Sequence, residues 1–209
     1  MDGARTLLPY TSWCWNLLGI SFALNAIIAH QGGLNGVDLP QPLLRAALLI
    51  FEIAAPSTLL VSFVVTYAIW PNILRQGGST KDIKSTRTLI WHNANVIMAL
   101  TEIALLGGIP VKLGHCAVAP MFGIAYIIMT WSIVNYWKPA EGPQFIYFFF
   151  DTTLGKTTTY VLLILLTVMM FFYGIFAMVD LLIHHIGGGI ISHLLFVVIV
   201  SAGVCRFRD

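Results

Sequence analysis

Residues 158–183 read TTYVLLILLTVMMFFYGIFAMVDLLI, and Asp180 is the only charged side chain in the run. A helix rising about 1.5 Å per residue needs roughly 20 apolar residues to cross a bilayer core. This stretch exceeds that length. A second apolar segment, 186–204, follows at once, joined through His184, His185, Gly187, Gly188 and Gly189. Two tightly connected spans are expected here rather than one helix of about 45 residues, because three successive glycines break a helix. Working outward, four more apolar segments can be drawn, at about 12–30, 43–69, 88–108 and 116–136. The second contains Pro56, which a membrane helix tolerates when neighbours satisfy the carbonyl it frees. The expected fold class is therefore all-α: a polytopic transmembrane helical bundle of six spans, with 1–209 as one domain.

Composition agrees. Hydrophobic residues make up 58% of the chain and charged residues 10%, with a mean hydropathy of +0.85. A water-soluble chain of this size could not hide that much apolar surface behind so little charge. The net charge of +2 and the lack of a long basic tract argue against nucleic acid as a partner. Cys14, Cys116 and Cys205 lie far apart and match no zinc or redox spacing, which points to reduced structural thiols. The first ten residues carry no signal-peptide pattern, so the first span is expected to act as the membrane-targeting signal.

Charge placement gives the bundle an orientation. With six spans, both termini and the second and fourth connections share one side. That side holds Arg5, Arg75, Lys81, Lys84, Arg87, Lys138, Lys156, Arg206 and Arg208, against Arg45 and Lys112 on the other. The bias follows the positive-inside rule and predicts cytoplasmic N- and C-termini. Five spans would move Arg206 and Arg208 across and weaken it. Trp13, Trp15, Trp70, Trp91, Trp131 and Trp137 fall near the same side. Interfacial anchoring accounts for such a belt; an aromatic-walled cavity opening there is the sharper alternative.

Charged groups inside a bilayer cost energy and call for a reason. Glu52 lies about nine residues into the second segment. The third carries His92, Asn93, Asn95 and Glu102, the fifth ends in Asp180, His184 and His185, and the sixth contains His193. Asn95 and Glu102, seven apart, share a helix face, with His92 beside Asn95. This polar stripe is expected to face the bundle interior. Interhelical hydrogen bonding would explain Asn95 alone; the ionisable pair His92 and Glu102 is a costly way to glue helices.

No HxxxH, HxxH or HExxH spacing is present, and the tandem His184–His185 would point its rings apart. No metal or cofactor is expected. Nucleophilic catalysis needs a hydroxyl or thiol beside a base. There is no GxSxG elbow, but Thr11 and Ser12 open the first span on the side from which His92 enters the third. A hydroxyl at a helix start is ordinarily an N-cap. Six-span topology nonetheless allows Thr11, Ser12 and His92 a similar depth.

Read in order, several motifs fall together: YTSWCWNLLG (10–19), His92–Asn93–Ala94–Asn95 with Glu102, and GIPVKLGH (108–115). Pro120, Gly123, Tyr126, an NYW ending at Trp137, FIYFFFD ending at Asp151 and the Gly155–Lys156 step continue the series. Together they resemble the rolling stone-like branch of the androgen-induced/rolling stone membrane family, over roughly residues 10–160. The resemblance implies a compact bundle of five or six helices in an internal cellular membrane. It also implies hydrolysis of fatty-acid esters of hydroxy fatty acids by an intramembrane threonine with a histidine partner. The histidine carries over to His92, since the ten-residue interval to an acidic residue is kept at Glu102. The threonine carries over to Thr11, or to Ser12 with a shift of one residue. Relatives of the rolling stone branch are associated with membrane fusion.

On this basis Thr11 would attack a lipid ester, with His92 as general base and Asn93 or Asn95 stabilising the oxyanion. Glu102, about 15 Å along the helix from His92, would act structurally or through water. Membrane lipids and a lipid-ester substrate are the expected partners. The rival is a non-catalytic accessory or structural subunit of a larger membrane complex. A transporter or channel ranks lower, because there is no charge ladder and no clear inverted repeat.

Overall fold

The computed structural model describes residues 7–106, 109–134, 145–186 and 189–208. Arg5, Lys138, Trp137, Gly187 and Gly188, which entered the sequence argument, lie outside them. All regular structure among the described residues is helical. Six rods follow the six apolar segments. α1 runs Tyr10–Leu34 and α2 Gln41–Arg75. α3 covers 86–105 as Thr86–Leu89, Ile90–Ala94 and Asn95–Leu105. α4 runs Leu113–Ser132 and α5 Lys156–Ile186, and α6 runs Gly189–Val204. Four of these, α1, α2, α4 and α5, are long and apolar enough to cross a membrane. α6 is apolar but shorter. Between α5 and α6, Gly189 takes φ +77°, a left-handed turn that side-chain-bearing residues avoid, as the glycine run predicts.

The rods alternate in direction. Trp15 pairs with Trp91 and Asn25 with Glu102, so α1 and α3 run parallel. α2 runs back between them, with Ser62 reaching His92 near one end and Glu52 reaching Lys112 toward the other. The start of α1, the end of α2, the start of α3, the end of α4, the start of α5 and the end of α6 form one end, here the near end. The α1–α2 connection and the strap between α3 and α4 form the far end.

α2 is the central helix, buried without interruption from Ala54 to Val61. Its Pro56 has no amide to offer the carbonyl four residues back, which belongs to Glu52. Around it Leu18, Phe51, Leu59, Leu100, Tyr173 and Phe176 form the main apolar cluster. The outer face is itself strongly apolar. On α5 the buried face combines Met169, Phe172, Phe176, Ala177 and Ile183 with Thr158, Tyr173 and Asp180, while Leu163, Ile164, Phe171, Met178, Leu181 and Leu182 are exposed. α6 buries only Val197 and exposes Ile190, Ile191, Leu194, Leu195, Val198 and Ile199. Large apolar side chains facing outward, with the few buried polar groups facing inward, are what a lipid solvent selects.

α4 meets α5 at Gly123. A Cβ there would stand 2.6 Å from Met169 Sδ and 3.1 Å from Leu166 Cδ2. Small residues permit such close approach between membrane helices. Gly123→Val is therefore expected to destabilise the protein by about 1–3 kcal/mol through overpacking. It should lower the thermal midpoint of the detergent-purified protein. Gly174→Ala, where an added Cβ meets nothing within 4 Å, should not.

Candidate functional site

At the near end, two stretches of helix widen into π-type turns. Val65–Ile69 in α2 and Ile90–Ala94 in α3 are both π-helical. Such turns shift the amide ladder by one residue and leave backbone groups to be satisfied by side chains. Ser62 donates its hydroxyl to the His92 carbonyl. The Val96 amide, four residues on, donates to Asn95 Oδ1 at 2.7 Å. The C-terminal segment enters between the two turns. Thr66 Oγ1 donates to the Val204 carbonyl at 2.8 Å, and Tyr67 donates to Gly203. Asn93 grips the Arg206 backbone from both sides, Nδ2 to O at 2.8 Å and N to Oδ1 at 3.3 Å. The Arg206 guanidinium lies 5.1 Å over the buried ring of Trp70. Burial pushes the Cys205 thiol up to about 11.

The predicted catalytic residues sit at this end. Thr11 and His92 are half-buried and Ser12 is buried. The Trp15–Trp91 and Asn25–Glu102 pairs set α1 and α3 in a register of 76 to 77 residues. Thr11 is thus level with residues 87–88, about 7 Å along the axis from the His92 Cα. The His92 ring leans back over the preceding turn, with Nδ1 2.8 Å from the Thr88 carbonyl, and this narrows the difference in depth. Since a carbonyl accepts, Nδ1 carries the proton in that bond, and a neutral ring then keeps its lone pair on Nε2. Asn95 is fully buried. Its Oδ1 takes the Val96 amide and, at 3.4 Å, the Ser62 hydroxyl, while its Nδ2 has no partner.

Glu102 is not near His92. It is buried in the far half, where Asn25 Nδ2 donates to its Oε1 at 2.7 Å. The two face a cleft of about 660 Å³ between α1 and α3. This cleft thus opens at the opposite end from the tryptophans, and none of the described ones lines it. The described tryptophans are packed into the near end instead. Trp131 Nε1 bonds the Phe150 carbonyl at 3.0 Å, and Trp13 meets Tyr126 edge-on at 5.5 Å. Tyr147, whose hydroxyl accepts from the Tyr10 amide, completes this aromatic cluster, and burial raises its pKa above the ordinary phenol value. Asn25 was missed in the sequence. Its only signal is that it matches the depth of Glu102 on a parallel helix.

Two further carboxylates, Glu52 and Asp180, act on the strap between α3 and α4. Glu52 is 0% exposed; its Oε1 accepts the Lys112 amide at 2.9 Å and its Oε2 meets His115 Nδ1 at 2.8 Å. Asp180 Oδ2 accepts the Val111 amide at 2.9 Å, with His184 Nδ1 3.4 Å from Oδ1. Tyr173 donates to the Lys112 carbonyl at 2.8 Å. Glu52 stands eleven residues into α2, about 16 Å from its start, so the strap is recessed into the bundle. Among the described residues no three His, Cys, Asp or Glu side chains gather as a metal site.

In comparisons with known proteins, no family model, curated protein or solved structure matches the chain.

Glu52→Ala would strand the Lys112 amide and the His115 ring and open a cavity, a loss of about 2–4 kcal/mol. A clear fall in thermal midpoint in detergent is expected. Tyr173→Phe, which removes one hydrogen bond, should cost only about 1 kcal/mol.

Proposed function

We propose that this chain is a six-span membrane protein of the rolling stone-like type, with both termini on its positive side, that hydrolyses a lipid ester through Thr11 and His92. The orientation is supported by charge. Arg75, Lys81, Lys84, Arg87, Lys156, Arg206 and Arg208 belong to the near end, and Arg45 and Lys112 to the far end. The chemistry rests on one observation: the Thr88 carbonyl holds the His92 ring back toward the depth of Thr11, with Nε2 left as the base. In the reaction His92 Nε2 takes the hydroxyl proton as the Thr11 oxygen attacks the ester carbonyl. The proton passes to the departing alcohol, and water then releases the acid by the reverse sequence. Asn95 Nδ2, buried without a partner, lies by the same register about 11 Å deeper than Thr11, too far to serve as oxyanion donor for attack by that hydroxyl. Membrane lipids supply the substrate, and an internal cellular membrane is the location the family resemblance implies.

The second reading is a non-catalytic subunit of a membrane complex. It is favoured by the many buried polar side chains that act as structural ties: Glu52, Asp180, Ser62, Thr66 and Asn93 all bind backbone.

Purified protein in detergent should cleave a fatty-acid ester of a hydroxy fatty acid and take up a fluorophosphonate probe. His92→Ala and Thr11→Ala should each lower the rate by 10²-fold or more, while Ser12→Ala should leave it within a few-fold. Unchanged hydrolysis in His92→Ala removes the histidine as base; no hydrolysis by wild type, with fixed-ratio copurification of other subunits, favours the second reading. Orientation is read separately. Single cysteines replacing Lys81 and Lys112 in a cysteine-free chain should react with an impermeant maleimide from opposite faces of sealed vesicles.

A further inference from the structure

The far-end cleft has a chemistry that the proposed reaction does not use. Its walls are apolar, with Phe22 and Ala26 from α1, Leu106 at the end of α3 and Ile109 from the strap. Its polar part consists of Asn25 and Glu102. Asn25 must turn its Nδ2 toward the Glu102 carboxylate, because the opposite orientation would set two acceptors against each other. Asn25 Oδ1 is consequently buried with no hydrogen-bond partner. The Glu102 carboxylate, on a side chain 5% exposed, keeps acceptor capacity beyond the one bond from Asn25. Two acceptors at the polar spot of an apolar cleft call for a donor, and buried acceptors are rarely left unmatched. The volume, about 660 Å³, is that of a small-molecule site and far beyond one water.

We infer that this cleft binds a single-tailed amphiphile whose head donates hydrogen bonds, an alcohol or a primary amine, with the head on Glu102 and Asn25 and the alkyl tail along Phe22 and Leu106. A carboxylate or phosphate head is excluded by repulsion from Glu102 and by having no hydrogen to give Asn25 Oδ1. The site is separate from Thr11 and His92 and does not depend on the hydrolase reading.

The test uses the full chain in detergent with tritiated hexadecylamine as probe, read by scintillation proximity. Unlabelled hexadecylamine and 1-hexadecanol are expected to compete, and hexadecanoate to need at least tenfold higher concentration. The two competing arms distinguish an amine from an alcohol as the preferred head. Glu102→Gln should weaken hexadecylamine at least tenfold. Ala26→Phe, which fills the cleft without touching the polar pair, should abolish binding while the thermal midpoint stays within a few degrees. His92→Ala should bind the probe as wild type does. Equal competition by hexadecanoate, or full binding by a folded Ala26→Phe protein, overturns the proposal. Loss of binding in His92→Ala would move the site to the near end and overturn it as well.

Discussion

The Glu52 carboxylate, fully buried in the central helix, closes the far end by taking one hydrogen bond from the Lys112 amide and one from the His115 ring. An isolated carboxylate in that position would be too costly to keep, and an unpaired strap amide in hydrocarbon would carry a smaller penalty of its own. Each makes the other tolerable. Asp180 repeats the device from α5 on Val111, and Tyr173 satisfies the Lys112 carbonyl between them. Three helices and the strap are thereby fixed to one another. Non-helical backbone at membrane depth is tolerated only when buried in protein in this way.

The near end is built on the opposite principle, with backbone groups freed by irregular helix and taken up by side chains. The π turns of α2 and α3 leave room for the C-terminal segment, which Thr66, Asn93 and Trp70 hold. His92 sits in one of these turns. Its ring bond to Thr88 sets the tautomer, and its carbonyl is held by Ser62. A histidine bonded at both its ring and its backbone is held in one orientation.

Much of this was legible in the chain. The six apolar segments correspond to six helices because, in lipid, length and hydropathy nearly dictate helix. The break before α6 was legible because successive glycines do not sustain a helix, and Gly189 indeed takes a positive φ. The polar stripe of the third segment also faces inward, as Asn95 and Glu102 are both buried. The use of its members was not legible. His92 and Glu102 belong to different ends and different partners, and a helical period gives a face but not the neighbour opposite it. Asn25, an unremarked amide in an apolar run, acquires meaning only beside Glu102.

The sequence by itself determined the helical class, the order of the apolar segments and the segregation of charge toward one set of connections. Each is a matter of local composition along the chain, which needs no contact partner to be read. Tertiary structure alone decided which carboxylates became structural, where the cleft opened and at what relative depth Thr11 and His92 stand. Those depend on the register between helices, fixed by a few bonds such as Trp15 to Trp91 and Glu52 to Lys112. A shift of one turn, about 5.4 Å, would exchange every such partner while leaving each hydrophobic segment unchanged.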